Sequence, residues 1–419
     1  MIDLELLRAD ETYRQGAIDK GASPELVESL LSADLSRREL LRSTEELRAE
    51  ANAAAREIGR SDPQDRPARI QAAGELKKRV QSSEAELAQA EQGVDSMVLE
   101  IPNPAHKSVP VGGEDDYRVE TVSGDTPPAP TYDHGALGSL LGLVDTERAV
   151  RMSGSRFAYL LGDAVRLQFG LIQWTMDKLS RHGFIPVITP VLVREEQMVK
   201  AGFFPTDRSQ VYQLEDDDLF LVGTAEVGLA GLHREERLDA EDLPMRYVGY
   251  SSCFRREAGT YGKDTSGVFR VHQFDKVEMF SYSHPDKSWD ELELLRTMQE
   301  EIVSELGLPY RVITVATADL GASAAKKYDL EVWLPSEQRY REITSCSNYT
   351  DYATRRASTR FKDDGQTGLA HTLNGTACAV GRTLLYMMEN HQNPDGSVSI
   401  PEVLHRWCGG LEVIEPPKT

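Results

Sequence analysis

The sequence predicts an α+β fold in two parts, an antiparallel helical hairpin and a body built on an antiparallel β-sheet flanked by helices. Residues 1–103 are rich in Ala, Glu, Arg, Leu and Gln, and their apolar residues recur at helical spacing. Residues 250–282 alternate in the manner of two strands joined by a glycine-rich loop. Neither a GxGxxG nor a P-loop motif occurs. We therefore divide the chain into residues 1–103 and 104–419.

Composition indicates an ordinary soluble protein. The 419 residues are 40% hydrophobic and 27% charged, with a net charge of −21. No apolar run approaches the roughly 20 residues that span a bilayer, and the N-terminus lacks a basic start followed by an apolar run. Four scattered cysteines argue against a disulfide framework and a thiolate zinc site. We expect a cytoplasmic protein without membrane contact, in which any RNA site is a local basic stripe.

The first part contains two apolar series separated by the turn GRSDPQDRP at residues 59–67. Such series are typical of two helices packed side by side. On pattern alone, an ordinary two-helix packing element or a dimerisation coil is the more common explanation of such series. The series are Leu40, Thr44, Leu47, Ala51, Ala54, Ile58 and then Ala73, Leu76, Val80, Ser83, Leu87, Ala90, Val94, Met97.

The second part opens with a Pro/Gly-rich linker and continues with a helical stretch over Phe157–Gly183. The segment HGFIPVITPVLV then predicts an edge strand, because Pro186 and Pro190 are tolerated only at sheet edges, strand starts or bulges. Further along, Thr224 and Glu226 lie at a strand-to-helix step. The simplest interpretation of this pair is a helix cap with a first-turn acid.

The predicted hairpin carries its charges where a polyphosphate could be held. Tyr250–Phe254 ends in Arg255, Arg256 and Glu257, and Val268–Tyr282 alternates apolar with polar residues. Guanidinium groups grip phosphate in bidentate fashion and stay charged at physiological pH. Surface ion pairs on an amphipathic strand are the alternative explanation.

Two later segments add oxygen and arginine chemistry. Glu342 and Ser345 are three apart on a strand, and this pair suits Mg²⁺, which keeps most of its waters and binds substrate phosphates. A buried acid paired with Arg339 or Arg341 is the simpler explanation. The segment HTLNGTACAVGR runs from a strand into a helix with Arg382 in its first turns.

Taken together, FRREAG…RVHQFDKVEM, TAE, REITSCSN and HTLNGT…GR resemble the ordered motifs of seryl-tRNA synthetases, a family of class II aminoacyl-tRNA synthetases. The resemblance covers nearly the whole chain. It implies ATP-dependent activation of L-serine, transfer of the seryl group to the 3′-end of serine tRNA, use of Mg²⁺, and a homodimer with the Pro190 strand at its interface. It also implies that the first part is a tRNA-binding arm.

The resemblance assigns roles residue by residue, with Arg255 and Arg382 as the catalytic pair. Serine binding falls to Thr224, Ala225, Glu226, Glu278 and Thr376. ATP binding falls to Arg255, Arg256, Glu257, Val271, Phe274, Glu342, Ile343, Thr344, Ser345 and Arg382. The metal would bind Glu342 and Ser345, and tRNA would contact Arg48, Arg56, Lys77, Lys78 and Arg79.

Three positions depart from the family pattern: Ala51 in the arm, Ser266 in the hairpin loop and Cys378 near the pocket. They leave open a paralogue that serves antibiotic self-resistance or secondary metabolism. A non-catalytic RNA-binding homologue is a third hypothesis, against which the intact Arg255, Glu278 and Arg382 argue. Whether selenocysteine tRNA is also charged stays open.

Overall fold

The computed structural model describes residues 1–258 and 269–417, and the chain divides into two compact units. One unit is Ile2–Pro102, and the other is Asn103–Thr419 together with Met1. No helix of the described residues is long and apolar enough to cross a membrane.

The first unit is helical and contains the predicted hairpin. Its long helices have 35 residues each, so that each spans roughly 50 Å at 1.5 Å per residue. Ser23 caps the first of them, its Oγ accepting from the backbone N–H of Leu26, and Pro24 occupies the first helical position. The helices are α1 Leu4–Ala9, α2 Glu11–Asp19, α3 Pro24–Ile58 and α4 Arg66–Glu100.

The two predicted apolar series form the contact between α3 and α4. Every member is buried or half-buried, while the intervening positions are mostly exposed. Near the middle, a polar pair crosses the interface: Oγ1 of the fully buried Thr44 lies 2.6 Å from Oγ of Ser83. A polar pair among apolar ones is satisfied in one alignment of the helices and therefore favours a single register. The predicted helical hairpin is confirmed.

The second unit is built on a large sheet. Eight of the described strands form it in the order β1-β11-β12-β13-β16-β10-β9-β4, antiparallel except for the edge pair β4–β9. The strands are β1 Arg118–Ser123, β2 Val144–Asp145, β3 Tyr159–Leu160, β4 Ile185–Ile188, β5 Leu192–Arg194, β6 Gln213–Leu214, β7 Leu219–Leu221, β8 Arg237–Asp239, β9 Met245–Phe254, β10 Gln273–Ser283, β11 Tyr310–Thr314, β12 Lys326–Leu334, β13 Arg339–Asn348, β14 Arg360–Asp363, β15 Gln366–Leu369, β16 His371–Ala379, β17 Val398–Ser399 and β18 Val413–Ile414.

Helices cover one face of this sheet and enclose its core. Their apolar faces meet inward-facing sheet residues such as Val277, Met279 and Leu330. The helices of this unit are α5 His134–Leu140, α6 Thr146–Ser153, α7 Asp163–Arg181, α8 Glu195–Lys200, α9 Glu226–Leu229, α10 Ser288–Glu305, α11 Tyr352–Ala357, α12 Val380–Asn390 and α13 Glu402–His405. Residues of α5, α7, α10, α12 and α13 contribute to this core, whereas α8 and α9 contribute to a second apolar cluster. The predicted α+β class and antiparallel sheet are confirmed.

The close approach of α10 depends on Gly375 in β16. A Cβ at this position would lie 2.9 Å from Cβ of Cys346 and 3.6 Å from Nε2 of Gln299 in α10. Gln299 donates hydrogen bonds to the backbone carbonyls of Ser345 and Thr376, and so links β13 to β16 on the face of the sheet that α10 covers. Because side chains alternate along a strand, those of Ser345 and Thr376 then face the opposite side of the sheet.

Two predicted boundaries differ from the structure. The stretch Phe157–Gly183 is helical only from Asp163, because Tyr159–Leu160 pairs as β3 with β2 and Gly162 turns the chain with φ of +55°. The return strand of the hairpin begins at Gln273 rather than Val268. Ser266 lies outside the described residues.

Candidate active site

The open face of the sheet carries a cavity of about 520 Å³. Its floor consists of residues from β10, β12, β13 and β16, and its walls include the segments that follow α8, β7, β9 and β11. The predicted site residues that line it are Thr224, Glu226, Arg255, Glu257, Val271, Phe274, Glu278, Glu342, Ile343, Thr344, Ser345, Thr376 and Arg382.

Glu278 lines the cavity from β10 and is 1% exposed. Its Oε2 accepts hydrogen bonds from the hydroxyls of Thr224 at 3.4 Å and Thr376 at 3.3 Å. Nζ of Lys276 lies 2.6 Å from the same oxygen. The other oxygen, Oε1, is buried without a hydrogen-bond partner in the described part of the chain. A buried acceptor of this kind is costly unless a ligand donates to it.

Glu226 is a second buried carboxylate in the same region. Its Oε2 accepts from Nδ2 of Asn374 at 2.6 Å, and its backbone N–H donates to Oγ1 of Thr224 at 3.2 Å. Burial, together with the charge of Glu278, raises the pKa of Glu226 to about 7. The N-cap residue of α9 is Ala225, which makes no side-chain cap, while Thr224 accepts from the first backbone N–H of the helix and Glu226 lines the cavity.

The opposite end of the cavity combines an aromatic ring with arginine. The Arg255 guanidinium lies 5.4 Å from the centre of the Phe274 ring, and both side chains line the cavity. Glu257, with φ of +52°, forms an ion pair with Arg270 beside Val271. A flat ring beside a cation is suited to a purine base carrying phosphates.

Glu342 and Ser345 also line the cavity, on β13, which is separated from β10 by β16. Arg382, in the first turn of α12, donates from Nη1 to the backbone oxygen of Glu342 at 3.1 Å, and Nη1 lies 3.7 Å from Oε2 of Glu342. The alternative partner Arg341 instead pairs with Glu337. Burial acts to raise the pKa of Glu342, but Lys327 and Arg382 outweigh it and leave this pKa below its usual value.

The donor set here suits Mg²⁺. The described residues contain no cluster of three or more His, Cys, Asp or Glu side chains that would form a closed metal cage. Mg²⁺ usually binds through one or two carboxylates together with substrate phosphates, and such a site needs no cage. One ionised carboxylate and one hydroxyl facing the cavity fit that mode of binding.

Two predicted residues do not line the cavity. Ala225 is fully buried at the start of α9, and Arg256 uses its backbone N–H to donate to the carbonyl of Gln210. Cys378 is also fully buried, and its Sγ lies 3.5 Å from Oγ1 of Thr383 rather than in the cavity. The departure at this position therefore does not change the lining.

The polar residues that line the cavity and were missed by sequence reasoning include Lys276, Lys327, Tyr349 and Asn374. Three of them were accessible from strand alternation. Lys276 is two residues from Phe274 and Glu278, Asn374 is two from Thr376, and Tyr349 follows Ser345 in steps of two.

The basic residues predicted for RNA contact all lie exposed on the helical hairpin. Arg48 is bound across the hairpin to Glu84 at 2.8 Å, and Lys78 is bound to Glu75 at 3.1 Å. Arg56, Lys77 and Arg79 make no salt bridge within the described ranges, so their charges are available to an anionic partner.

Comparisons with known proteins agree with this geometry. Residues 1–105 match the model of the seryl-tRNA synthetase N-terminal domain, and residues 210–391 match the tRNA synthetase class II core domain (G, H, P, S and T). The serine–tRNA ligase of Mycobacterium marinum is 47% identical over 99% of this chain and 100% of its own length. That of Mycobacterium tuberculosis is 46% identical over the same shares.

Solved structures give the same result. Seryl-tRNA synthetase from Pyrococcus horikoshii complexed with ATP superposes with a TM-score of 0.94 at 39% identity, covering 100% of both chains. The cytoplasmic serine–tRNA ligase from Naegleria fowleri in complex with AMP gives 0.91 at 32% identity, covering 100% of this chain and 99% of its own. The full-length similarity and the two matching domains establish that the chain belongs to the seryl-tRNA synthetase family of class II aminoacyl-tRNA synthetases.

Proposed function

We propose that the protein activates L-serine with ATP to seryl adenylate and transfers the seryl group to the 3′-end of serine tRNA. The observation that carries this proposal is a single cavity in which two buried carboxylates face two arginines and an aromatic ring. The carboxylates suit an amino acid with a hydroxyl group, and the arginines suit a nucleoside triphosphate. The names of the ATP- and AMP-bound relatives support ATP as the second substrate.

Serine recognition follows from the unsatisfied acceptor. Oε1 of Glu278 has no partner within the described residues, so the serine hydroxyl can donate to it. Glu226 supplies a carboxylate for the serine ammonium. Because the pocket is built to satisfy a hydroxyl, alanine leaves Oε1 unsatisfied and is rejected strongly. The hydroxyls of Thr224 and Thr376 hold the other oxygen and fix the carboxylate in place.

Activation requires positioning rather than a side-chain base. A carboxylate oxygen of serine attacks the α-phosphorus, the bond from that phosphorus to the bridging oxygen breaks, and pyrophosphate leaves. Arg255 would hold the α-phosphate while Phe274 stacks on the adenine, and Arg382 would hold the distal phosphate. Fixed cations aimed at the charge that develops in the transition state lower the barrier without a proton transfer from the protein.

We assign Mg²⁺ to Glu342 and Ser345. When bound, the ion neutralises phosphate charge and restrains the geometry of the triphosphate. The adjacent Arg382 would keep Glu342 ionised and ready to bind before the nucleotide arrives.

The second step needs tRNA, for which we propose the helical hairpin as the holding element. The chain as a whole is strongly anionic, with a net charge of −21, so a tRNA contact depends on local basic groups. Arg56, Lys77 and Arg79 supply such groups, whereas the charges of Arg48 and Lys78 are partly compensated by Glu84 and Glu75.

We further propose that the protein is a homodimer and acts in the cytoplasm. Large apolar residues are exposed on the neighbouring elements α7, β4 and β5, where Ile188 is 79% and Phe169 is 52% exposed. An apolar face of this kind suits burial against a second copy. The four cysteines, all free and buried, are consistent with a reducing compartment.

The competing hypotheses lack a specific observation in their favour. Cys378 lies outside the cavity lining, and the residues proposed to bind ATP and serine line the same cavity. A paralogue for secondary metabolism and a non-catalytic RNA-binding homologue are therefore not favoured.

The test is attachment of serine to a serine tRNA transcript by the full-length protein with ATP and Mg²⁺, beside serine-dependent exchange of pyrophosphate into ATP. We expect both activities, with alanine and threonine as poor substitutes for serine. Exchange without attachment would contradict the transfer step and direct attention to another seryl acceptor. Absence of both in folded protein would contradict the proposal as a whole.

A further inference from the structure

Lys327 is a cavity residue for which neither the motifs nor the comparisons supply a role. It lies on β12, beyond β13, and pairs in register with Ser347, while Asp329 pairs with Ser345. Lys327 lines the same cavity as Glu342, Ser345 and Arg382. The next residue back, Lys326, does not line the cavity, because alternation turns it to the other face, towards Tyr328 and Glu293.

The ammonium of Lys327 is held in a defined position. Its Nζ lies 3.1 Å from Oδ1 of Asp329, and the two side chains are only 18% and 8% exposed. A lysine ammonium beside a carboxylate carries its positive charge at neutral pH, so Lys327 presents a fixed cation to the cavity. A structural ion pair explains the contact with Asp329, but it does not explain why the pair is placed beside a substrate cavity and the metal-binding carboxylate.

The cationic groups follow one another across the sheet floor. Arg255 lies at the end of β9, Arg382 follows β16, and Lys327 lies on β12, on the far side of the metal-binding pair. If Arg255 holds the α-phosphate, a cation on the far side of Glu342 and Ser345 would lie next to the β- and γ-phosphates, which leave as pyrophosphate. We infer that Lys327 binds the pyrophosphate portion of ATP and that Asp329 is its positioning residue. This inference rests on the proposed function.

The reverse reaction isolates this contact, because pyrophosphate is then a separate substrate. The experiment measures pyrophosphate-dependent formation of ATP from enzyme-bound seryl adenylate, with KM determined for pyrophosphate and, in the exchange assay, for serine. We expect Lys327→Met to raise the KM for pyrophosphate about 10- to 100-fold, as for loss of one charge-assisted hydrogen bond. The KM for serine should change less than about threefold. Lys327→Arg should restore most of the loss, and Asp329→Asn should give a smaller increase.

Lys326→Met is the matched control, since it removes a lysine one residue away that faces away from the cavity. Because Lys327→Met leaves Asp329 buried without its partner, the double variant Lys327→Met/Asp329→Asn is measured as well, with folding checked by circular dichroism. A raised KM for pyrophosphate in the folded double variant, with Lys326→Met unchanged, supports the inference. An unchanged KM for pyrophosphate, or a rise only in the KM for serine, overturns it. Failure of the wild-type protein to catalyse serine-dependent exchange would instead count against the proposed function.

Discussion

Nζ of Lys276 lies 2.6 Å from Oε2 of Glu278, and both side chains are buried in the floor of the cavity. A buried ion pair contributes little net stability, because desolvation offsets most of the attraction between the charges. The pair instead holds the carboxylate of Glu278 in one orientation. Lys276, Thr224 and Thr376 all bind one oxygen of Glu278 and leave the other directed at no protein group within the described residues.

Replacing Glu278 by Gln tests that arrangement. The substitution keeps the size of the side chain but removes the charge that Lys276 and the serine hydroxyl need. We expect the KM for serine to rise about 10- to 100-fold and the KM for ATP to change less than about threefold in serine-dependent pyrophosphate exchange. Glu291→Gln is the control, because Glu291 is also buried but binds Arg246 outside the cavity. Equal effects of the two substitutions would show that the loss is general.

The raised pKa of Glu226 leads us to expect that serine binding depends on pH. Its pKa is raised to about 7, so the carboxylate is mainly protonated at pH 6 and mainly ionised at pH 8. The proposed contact with the serine ammonium requires the ionised form of Glu226, so the affinity for serine should increase about tenfold between pH 6 and pH 8. The binding of serine by calorimetry across this range measures the effect. Glu226→Gln should bind weakly with a flatter profile, and an equally steep profile in that variant would assign the titration to another group.

The raised pKa of Glu226 also makes the folding stability depend on pH, and stability falls over the pH range in which serine binding should rise. The folded-state pKa of Glu226 lies above the unfolded value of about 4.5, so the folded protein binds more protons between pH 4.5 and 7. The contribution of Glu226 to folding stability is therefore fully present below about pH 4.5 and is lost as pH rises through 7.

The proposed dimer predicts that a charge on the exposed apolar face gives monomers. Ile188 is 79% exposed on the edge strand β4, and Ile188→Asp would place a carboxylate in the proposed interface. Sedimentation velocity should show a dimer for the wild type and a monomer for the variant at micromolar concentration. Val111→Asp, at a position 67% exposed in a loop, should stay dimeric. A monomeric wild type would contradict the dimer.

Sequence reasoning predicted many of the residues that line the cavity, and their roles there stay predictions. Glu278, Glu342 and Arg382 were identified from motif resemblance, and the helical hairpin was identified from the spacing of its apolar residues. The position of Lys327 in the cavity lining could not be predicted from the sequence. It follows another lysine directly, and only the pairing of β12 with β13 decides which of the two faces the cavity. The N-terminal limit of α7 was mispredicted because the short pairing of β2 with β3 is a tertiary contact.

The helical hairpin gives the last prediction, which separates tRNA binding from adenylate formation. Reversing the charges of Arg56, Lys77 and Arg79 to Glu should abolish most tRNA charging at physiological salt and leave serine-dependent pyrophosphate exchange within about twofold. Each lost phosphate contact should also reduce the salt dependence of tRNA binding by about one unit of slope. The control reverses three exposed arginines of the other unit, so that the net charge changes equally: Arg181, Arg339 and Arg406. Equal losses of charging in both triple variants would attribute the effect to overall charge and not to the hairpin.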